Sequence, residues 1–425
     1  MSKARVNSSR LNDTIQSTCT KWGAIQDSTG MRRLTLSADD KGVRDWLVEE
    51  CKSLGCSIKV DEMGNIFAIR PGLDPSRHAI AMGSHLDTQP AGGRYDGILG
   101  VIAALEVLRT LNDSNVTTTC PLALVDWTNE EGARFPGAMM SSGVWSGKSI
   151  TPLEACHEII DVEGVSMKSA LKDIGYLGDT PCSHEANPLE CHFELHIEQG
   201  PELEKTGKSI GVVTAVQGMK WFAIRVTGVE GHSGTTPMPA RSDALVTASR
   251  LIAAVRDAAK ATGLGVATVG VIKSDTSSQA TIPAGVDFII DVRCSTDEMV
   301  DELSASILES FDKIITEEDN GTKYVVQRTW GLPESIFHPD CIDAVRRAAT
   351  EEVGEDQIMD MKSRAGHDSA WTSRVVPTSM IFVPSKDGVS HNPNEYTSPE
   401  HCALGAQALL DAVLHYDEMV SRSSQ

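Results

Sequence analysis

The chain has 425 residues, of which 38 are lysine or arginine and 59 are aspartate or glutamate, so its formal charge is −21. Hydrophobic residues make up 40% and charged residues 23% of the sequence, which excludes a wholly disordered or collagen-like chain. This length exceeds what one ordinary core supports, so we expect two domains. The acidic balance opposes binding to nucleic acid or to an anionic membrane.

The sequence contains no apolar stretch of about eighteen residues, so we expect no transmembrane helix. Residues 1–16 begin with basic side chains that no apolar core follows, which argues against a secretory signal and leaves a transit peptide as the less favoured alternative. The ten cysteines are scattered and form no CxxC pair. In a chain of this size, reduced thiols and a cytoplasmic location are therefore the expectation.

The first half of the chain alternates helices, strands and loops. Apolar residues at helical spacing predict a helix over 40–57, and residues 58–69 predict two short strands around a turn. Short apolar runs predict buried strands over 79–83 and 121–127, with a helix over 97–111 between them. This order is typical of an α/β domain with a mostly parallel sheet, in which functional groups gather at the carboxyl ends of strands.

The pattern changes near residue 213, where apolar and polar residues begin to alternate as in an antiparallel strand. The expected elements follow the order βαββαβ, with strands over 219–229, 266–273, 286–293 and 324–329 and helices over 242–261 and 297–317. We therefore predict an α+β domain over 213–329, inserted into a larger α/β domain that comprises 1–212 and 330–425.

The first candidate site follows the predicted strand over 79–83. His85 and Asp87 are two residues apart, so in extended backbone they point the same way. Asp96 opens the next helix, and a histidine with an aspartate at a loop–helix junction suits a divalent metal. The alternative is that these residues only form a turn, because the same loop is rich in glycine.

Three further segments carry candidate residues. Glu130 and Glu131 follow a strand, where one carboxylate can bind a metal while the other faces a water as general base, although two solvated glutamates are the alternative. His196 and His391 are possible ligands in the segment HFELHIEQGP and in a polar loop, but a lone histidine is more often structural. Together these side chains form a mixed nitrogen and oxygen set that suits zinc, manganese or cobalt.

At these motifs the sequence resembles the metal-dependent amidohydrolases that include N-carbamoyl-L-amino-acid hydrolases, β-ureidopropionase and allantoate amidohydrolase. These enzymes share a fold with aminoacylase-type and carboxypeptidase-type metallopeptidases. The combination of HIEQGP and GHSGTTPM is typical of the carbamoylase-like branch. The matching segments lie in the expected order between about residues 80 and 400: GSHLDTQPAGGRYDGILGV, TNEEGARF, HFELHIEQGP, GVEGHSGTTPM, IPAGVDFIIDVR, SRAGHDSAW and GVSHNPNEYTSPE.

The resemblance implies two divalent metal ions per subunit, zinc or manganese, with cobalt or nickel as alternatives. Asp96 corresponds to the bridging ligand, Asp87 to a carboxylate behind the first histidine, and Glu130 to the general base. The resemblance also implies a homodimer formed through the inserted domain. The implied metal ligands are His85, Asp96, Glu131, His196 and His391.

Three residues correspond to substrate-binding positions of the family. The resemblance implies that Gln199 contacts the ureido or amide end, that His232 stabilises the oxyanion, and that Arg293 pairs with the substrate carboxylate. Each has a simpler alternative, which is loop backbone pairing for Gln199, turn formation for His232 and a surface ion pair for Arg293.

Two positions depart from the family pattern where substrate is held. Ala280 replaces a usual asparagine, and Arg364 replaces a usual glycine, so that a long cation either binds an extra anionic group or points outward. We expect a hydrolase of the C–N amide bond of N-carbamoyl amino acids that releases ammonia, carbon dioxide and the amino acid. The alternatives are an aminoacylase or dipeptidase-like hydrolase on the same metals, and a non-catalytic protein that kept the fold.

Overall fold

A computed structural model describes residues 4–422 of the chain. Up to residue 216 the elements are α1 (Ser8–Lys21), α2 (Ala38–Ser53), β1 (Ser57–Val60), β2 (Ile66–Arg70), β3 (Ala79–Ser84), α3 (Ile98–Asp113), β4 (Leu122–Asp126), α4 (Met140–Ser146), α5 (Leu153–Glu158), α6 (Met167–Ile174), β5 (Leu189–Ile197), α7 (Glu202–Thr206) and β6 (Ile210–Val216). The next are β7 (Gly218–Thr227), β8 (Gly231–His232), α8 (Ala244–Thr262), β9 (Gly265–Ser274), β10 (Thr281–Ile282), β11 (Gly285–Cys294), α9 (Asp297–Glu318) and β12 (Lys323–Leu332). The last are β13 (Ser335–Ile336), α10 (Pro339–Val353), β14 (Ile358–Ser363), α11 (Ser369–Thr372), β15 (Thr378–Val383) and α12 (Pro399–Arg422), and short 3₁₀ turns occur at Met238–Ala240, Glu355–Gln357 and Lys386–Gly388.

The chain divides into two compact units, of which the second is Val216–Ser335 and the first is formed by the chain on either side of it. The predicted insertion, 213–329, begins and ends slightly earlier. The difference arises from strand pairing, because Val213 in β6 pairs with Met380 in β15 and so belongs to the sheet of the first unit. At the other end, β12 continues to Leu332.

The first unit is built on a nine-stranded sheet in the order β1-β2-β4-β3-β5-β15-β6-β13, with β14 also paired to β6. The central strands β4, β3, β5 and β15 run parallel, whereas β2 and β6 pair antiparallel at their flanks. Every residue of β3, β4 and β15 is buried, as in a sheet covered on both faces. The predicted α/β class is confirmed.

Two helix starts shape the part of this unit that carries the candidate residues. Ser37 caps α2, since its Oγ accepts the Asp40 N–H, and Asp39 adds a favourable charge in the first turn. α3 begins after Gly97, whose φ of +67° suits glycine, and almost all of its side chains are buried. Asp96 therefore lies at the tight turn by which the chain enters a buried helix.

The second unit contains a four-stranded antiparallel sheet in the order β12-β7-β11-β9. Buried and half-buried residues alternate along β11, and its buried face packs with α8 and α9 around Phe288 and Phe311. A separate two-stranded ribbon of β8 and β10, which the sequence did not predict, places Thr281 opposite His232. The observed order otherwise matches the predicted βαββαβ pattern.

None of the helices within residues 4–422 combines the length and the apolar character that crossing a bilayer requires. The ten cysteines, all within this range, are buried and none is in a disulfide. The prediction about a secretory signal or transit peptide concerned residues 1–16. Residues 1–3 lie outside the described residues, and α1 covers Ser8–Lys21.

Candidate metal centre

The candidate ligands follow the carboxyl ends of the four parallel strands. His85 comes directly after β3, Glu130 and Glu131 come shortly after β4, His196 lies near the end of β5, and His391 lies in the loop after β15. Because these strands are adjacent and parallel, their carboxyl ends meet at one edge of the sheet. Residues that are far apart in the sequence are thereby brought together.

Asp96 lies at the middle of this group. Its Oδ1 is 3.1 Å from Nε2 of His196 and 3.6 Å from Nε2 of His85, while its Oδ2 is 3.3 Å from Nε2 of His391. The same His391 nitrogen is 3.4 Å from Oε2 of Glu131. The ligand atoms thus form two sets that share Asp96, and within each set they lie within 4.8 Å of one another.

The chemistry of these two sets fits divalent cations. Among the described residues, Nε2 of His85 is buried without a hydrogen-bond partner. Burial, and after it the charge of Asp96, raises the pKa of Glu131 to about 7. A cation beside these carboxylates would oppose that shift, and imidazole with carboxylate is a ligand mixture that zinc and manganese accept. The side chain of His391 is 50% exposed, so the group opens to solvent.

Asp87 supports the two adjacent glutamates more directly than it supports the histidine. Its Oδ1 and Oδ2 accept the backbone N–H groups of Glu130 and Glu131, each at 3.3 Å. Nδ1 of His85 lies 2.9 Å from the backbone carbonyl oxygen of Asp87 and 3.7 Å from its carboxylate. Asp87 is therefore the neighbour of His85, as expected, but the His85 ring lies closer to the backbone carbonyl of Asp87 than to its carboxylate.

Glu130 lies beside the ligand sets, with Oε2 at 3.6 Å from Nε2 of His85. Burial raises the pKa of Glu130 well above its ordinary value, and the neighbouring His85 opposes this shift. The preceding residue, Asn129, has a left-handed backbone with φ of 60°. Its side-chain amide donates to the carbonyl oxygens of Phe135 and Gly137 at 3.0 and 3.1 Å, which stabilises this uncommon conformation.

Gln199 is part of the same group of side chains. Its Nε2 donates to Oδ2 of Asp96 at 2.8 Å and to Oγ of Ser390 at 3.1 Å. Ser390 also donates to the Asp96 carboxylate, at 3.1 Å. In this structure Gln199 therefore holds the carboxylate that the two sets share.

The two departures from the family pattern lie in different surroundings. The side chain of Arg364 is 76% exposed and pairs with Oε1 of Glu202 at 3.2 Å, as the outward-pointing alternative predicts. Ala280 is exposed in the second unit, and its N–H donates to Oγ of Ser278 at 3.3 Å.

His232 and Arg293 both lie in the second unit. Nδ1 of His232 accepts the N–H groups of Gly234 at 3.0 Å and Thr235 at 3.3 Å. These contacts favour the tautomer in which Nε2 carries the proton and acts as a donor. Arg293, on β11, pairs with Asp291, with its closest nitrogen at 2.7 Å from Oδ2. This is the ion pair that the sequence left as an alternative for Arg293.

Two buried residues near the ligands were not assigned a role from the sequence. The ring of His367 packs edge-on against that of His196, with centroids 4.5 Å apart, and burial with the nearby His196 lowers its pKa to about 3. Glu395 accepts the N–H groups of Tyr95 and Asp96 at 3.0 and 3.1 Å. His367 lies in the segment SRAGHDSAW and Glu395 in the segment GVSHNPNEYTSPE, both of which carry the family resemblance. A titratable side chain in such a segment was the sequence feature that could have identified each of them.

Comparison with known proteins extends the resemblance over nearly the whole chain. The family model described as "Peptidase family M20/M25/M40" matches residues 81–415. An N-carbamoyl-L-amino-acid amidohydrolase from Rhizobium meliloti is 39% identical over 98% of both chains. A second, from Geobacillus stearothermophilus, is 33% identical over 91% of this chain and 94% of the relative. The crystal structure of a hydantoinase/carbamoylase family amidase from Burkholderia vietnamiensis matches with a TM-score of 0.90 and 41% identity over 98% of both chains.

Proposed function

The chain belongs to peptidase family M20/M25/M40, and on this premise we propose that it is a metal-dependent hydrolase of N-carbamoyl amino acids. It cleaves the C–N amide bond of the ureido group with one water, and the products are the amino acid, ammonia and carbon dioxide. The observation that carries the proposal is the position of Asp96 between three imidazoles, beside Glu130 and Glu131. The names of the full-length relatives support the choice of substrate class.

Two cations per subunit, zinc or manganese, account best for the two overlapping ligand sets. His85 and His196 would hold one cation and Glu131 and His391 the other, with Asp96 shared between them. When bound, such a pair activates a water and polarises the scissile carbonyl. Gln199, which donates to Asp96, would keep the shared carboxylate in place and meet the ureido end of the substrate.

Glu130 is the proposed general base. Its Oε2 would accept a proton from the attacking water and then return it to the leaving nitrogen. Burial raises the pKa of Glu130, whereas a nearby positive charge lowers it. These opposing effects suit a carboxylate that must take up and then release a proton.

Two further substrate contacts are proposed for residues of the second unit. His232 can donate from Nε2 to a developing oxyanion, because Nδ1 accepts two backbone N–H groups. Arg293, oriented by Asp291, would pair with the substrate carboxylate. We further propose that the protein is a homodimer through this unit, so light scattering should give twice the 45.7 kDa chain mass.

The decisive experiment measures ammonia release from N-carbamoyl-β-alanine, several N-carbamoyl-L-α-amino acids and allantoate. Each reaction is run with added manganese or zinc and again after chelation. N-acetyl amino acids and dipeptides, followed by their free amine, are the controls. Chelator-sensitive ammonia from a ureide is the expected result. Amine release from the controls, without ammonia from any ureide, would overturn the proposal in favour of an aminoacylase or dipeptidase activity.

A further inference from the structure

Arg44, on α2, is a fully buried cation outside the segment that matches the family model. Its Nε donates to Oδ2 of Asp40 at 2.9 Å, and one terminal nitrogen donates to the carbonyl oxygen of Gly64 at 2.8 Å. Its other terminal nitrogen donates to Oγ1 of Thr128 at 3.1 Å. Every branch of the guanidinium is therefore used, and one branch reaches the segment that leads to the metal centre.

The same guanidinium also holds the end of β4. The terminal nitrogen that donates to Thr128 also lies 3.3 Å from Oδ2 of Asp126, the last residue of that strand. The side chains of Arg44 and Asp126 are both fully buried. Among the described residues, neither Asp126 oxygen has a hydrogen bond, and Arg44 forms an ion pair with this carboxyl group. The backbone N–H of Thr128 donates to Oδ1 of Asn65 at 3.0 Å. Residues 126–128 are thus held by side chains from α2 and from the turn before β2.

The chemistry of arginine is required here. One cation faces two buried carboxylates, Asp40 and Asp126, and a hydroxyl and a carbonyl oxygen at the same time. A guanidinium presents its donors in a rigid planar fork, whereas a lysine ammonium is a single point charge on a flexible stem. A lysine at this position would keep the charge but could not reach all four oxygens.

We propose that Arg44 is a positioning residue for the metal centre, and that it acts by fixing Asp126 and Thr128 so that Glu130 and Glu131 stand where the centre needs them. It acts through these residues and makes no contact with the reacting atoms. The inference rests on the proposed function, because it takes Glu131 as a ligand and Glu130 as the base.

The two ligand sets should depend on Arg44 to different degrees. One set contains Glu131, which follows the segment that Arg44 holds, together with Asp96 and His391. The other set, in which His85 and His196 join Asp96, contains no residue of that segment. Loss of the arginine fork should therefore weaken one cation site and leave the other nearly intact.

The test uses the full-length, metal-free protein titrated with zinc against a competing chelator. The variants are Arg44→Lys and the milder Thr128→Val, which removes one acceptor and keeps the side-chain volume. The control is Arg70→Lys, because Arg70 is also buried but contacts Asn112 and the Val116 carbonyl, each at 2.8 Å. Arg70 lies at the opposite end of β2 from the residue paired with Asp126.

For both Arg44→Lys and Thr128→Val we expect one zinc to bind as in the wild type and the second to bind about 10- to 100-fold more weakly. Their kcat on the ureide should fall while KM stays close to the wild-type value, and Arg70→Lys should keep both zinc affinities. Thermal unfolding identifies a variant that fails to fold, and the milder Thr128→Val then carries the test.

Wild-type zinc affinities and kcat in the folded variants would overturn the inference, while ureide hydrolysis by the wild type would still support the proposed function. Equal weakening of both zinc sites, matched by Arg70→Lys, would indicate a general loss of stability and would also overturn it. A wild-type protein that binds no metal and releases no ammonia would refute the proposed function and the inference with it.

Discussion

Gly97 allows the packing of the candidate centre to be tested with a single methyl group. A Cβ at this residue would lie 2.3 Å from Cε1 and from Nε2 of His85, whereas ordinary van der Waals contact begins at 3.4 Å. The imidazole would therefore have to retreat by about 1 Å. Metal–ligand distances vary by only about 0.2 Å. We expect Gly97→Ala to lose the cation site that contains His85.

The predicted loss can be separated from backbone strain. Gly97 has φ of +67° and ψ of −47°, a combination that non-glycine residues rarely adopt, and an alanine held there costs about 1–3 kcal/mol of folding free energy. The matched control is Gly55→Ala, since Gly55 has φ of +84° and an added Cβ would meet no described atom within 4 Å. Both variants should lose stability in denaturant unfolding, and Gly97→Ala should lose more because only its added methyl group meets a buried side chain. Gly55→Ala should keep its metals and its turnover.

Two assays decide the outcome for Gly97→Ala. Metal analysis should show fewer bound cations per chain than in Gly55→Ala, and turnover of the ureide should fall by about 10²-fold, as expected for a misplacement of about 1 Å. If Gly97→Ala retained wild-type metal content and turnover, the argument from the His85 contact would be refuted.

Three other predictions follow from the same structure. Glu130→Gln should keep its metals and lower kcat by about 10²- to 10⁴-fold, because an amide cannot take the proton, and an unchanged kcat would exclude Glu130 as base. In the metal-free protein the pKa of Glu131 is raised to about 7 and that of His391 to about 9, so protons compete with metal. Zinc affinity, measured by calorimetry, should therefore rise from about pH 6 to about pH 8 with release of protons, and a constant affinity would contradict these ligands. Thr296→Ala should lower the free energy of unfolding by about 1 kcal/mol, because Thr296 caps α9 through the Met299 N–H, and should leave turnover unchanged.

The structure contains the elements that were predicted from patterns among neighbouring residues. The apolar runs at 79–83 and 121–127 form β3 and β4, and the helix expected over 97–111 is α3. These signals depend on the alternation and spacing of neighbouring residues. The predicted insertion starts slightly before the second unit, because Val213 in β6 pairs with Met380 in β15 and so belongs to the sheet of the first unit.

In the candidate site, too, local patterns could be predicted from the sequence, whereas contacts between distant residues could not. The motifs were sufficient to nominate the ligands and Glu130, since a strand end followed by histidine or carboxylate is a local pattern. The motifs did not predict that Gln199 would donate to Asp96, 103 residues away, or that Arg364 would pair with Glu202, 162 residues away. They also assigned no role to His367, whose low pKa results from burial against His196.

The sequence by itself determined β3, α3 and β4, the main βαββαβ elements of the second unit and the residue types available for metal chemistry, because each is carried by neighbouring residues. Only the tertiary structure decided which oxygen of Asp96 faces which histidine, that Asp87 holds the backbone of Glu130 and Glu131, and that the buried Arg44 holds the end of β4. These features depend on distances between side chains on different strands and helices. Such distances are set when the parallel strands align and the two faces of the sheet are packed.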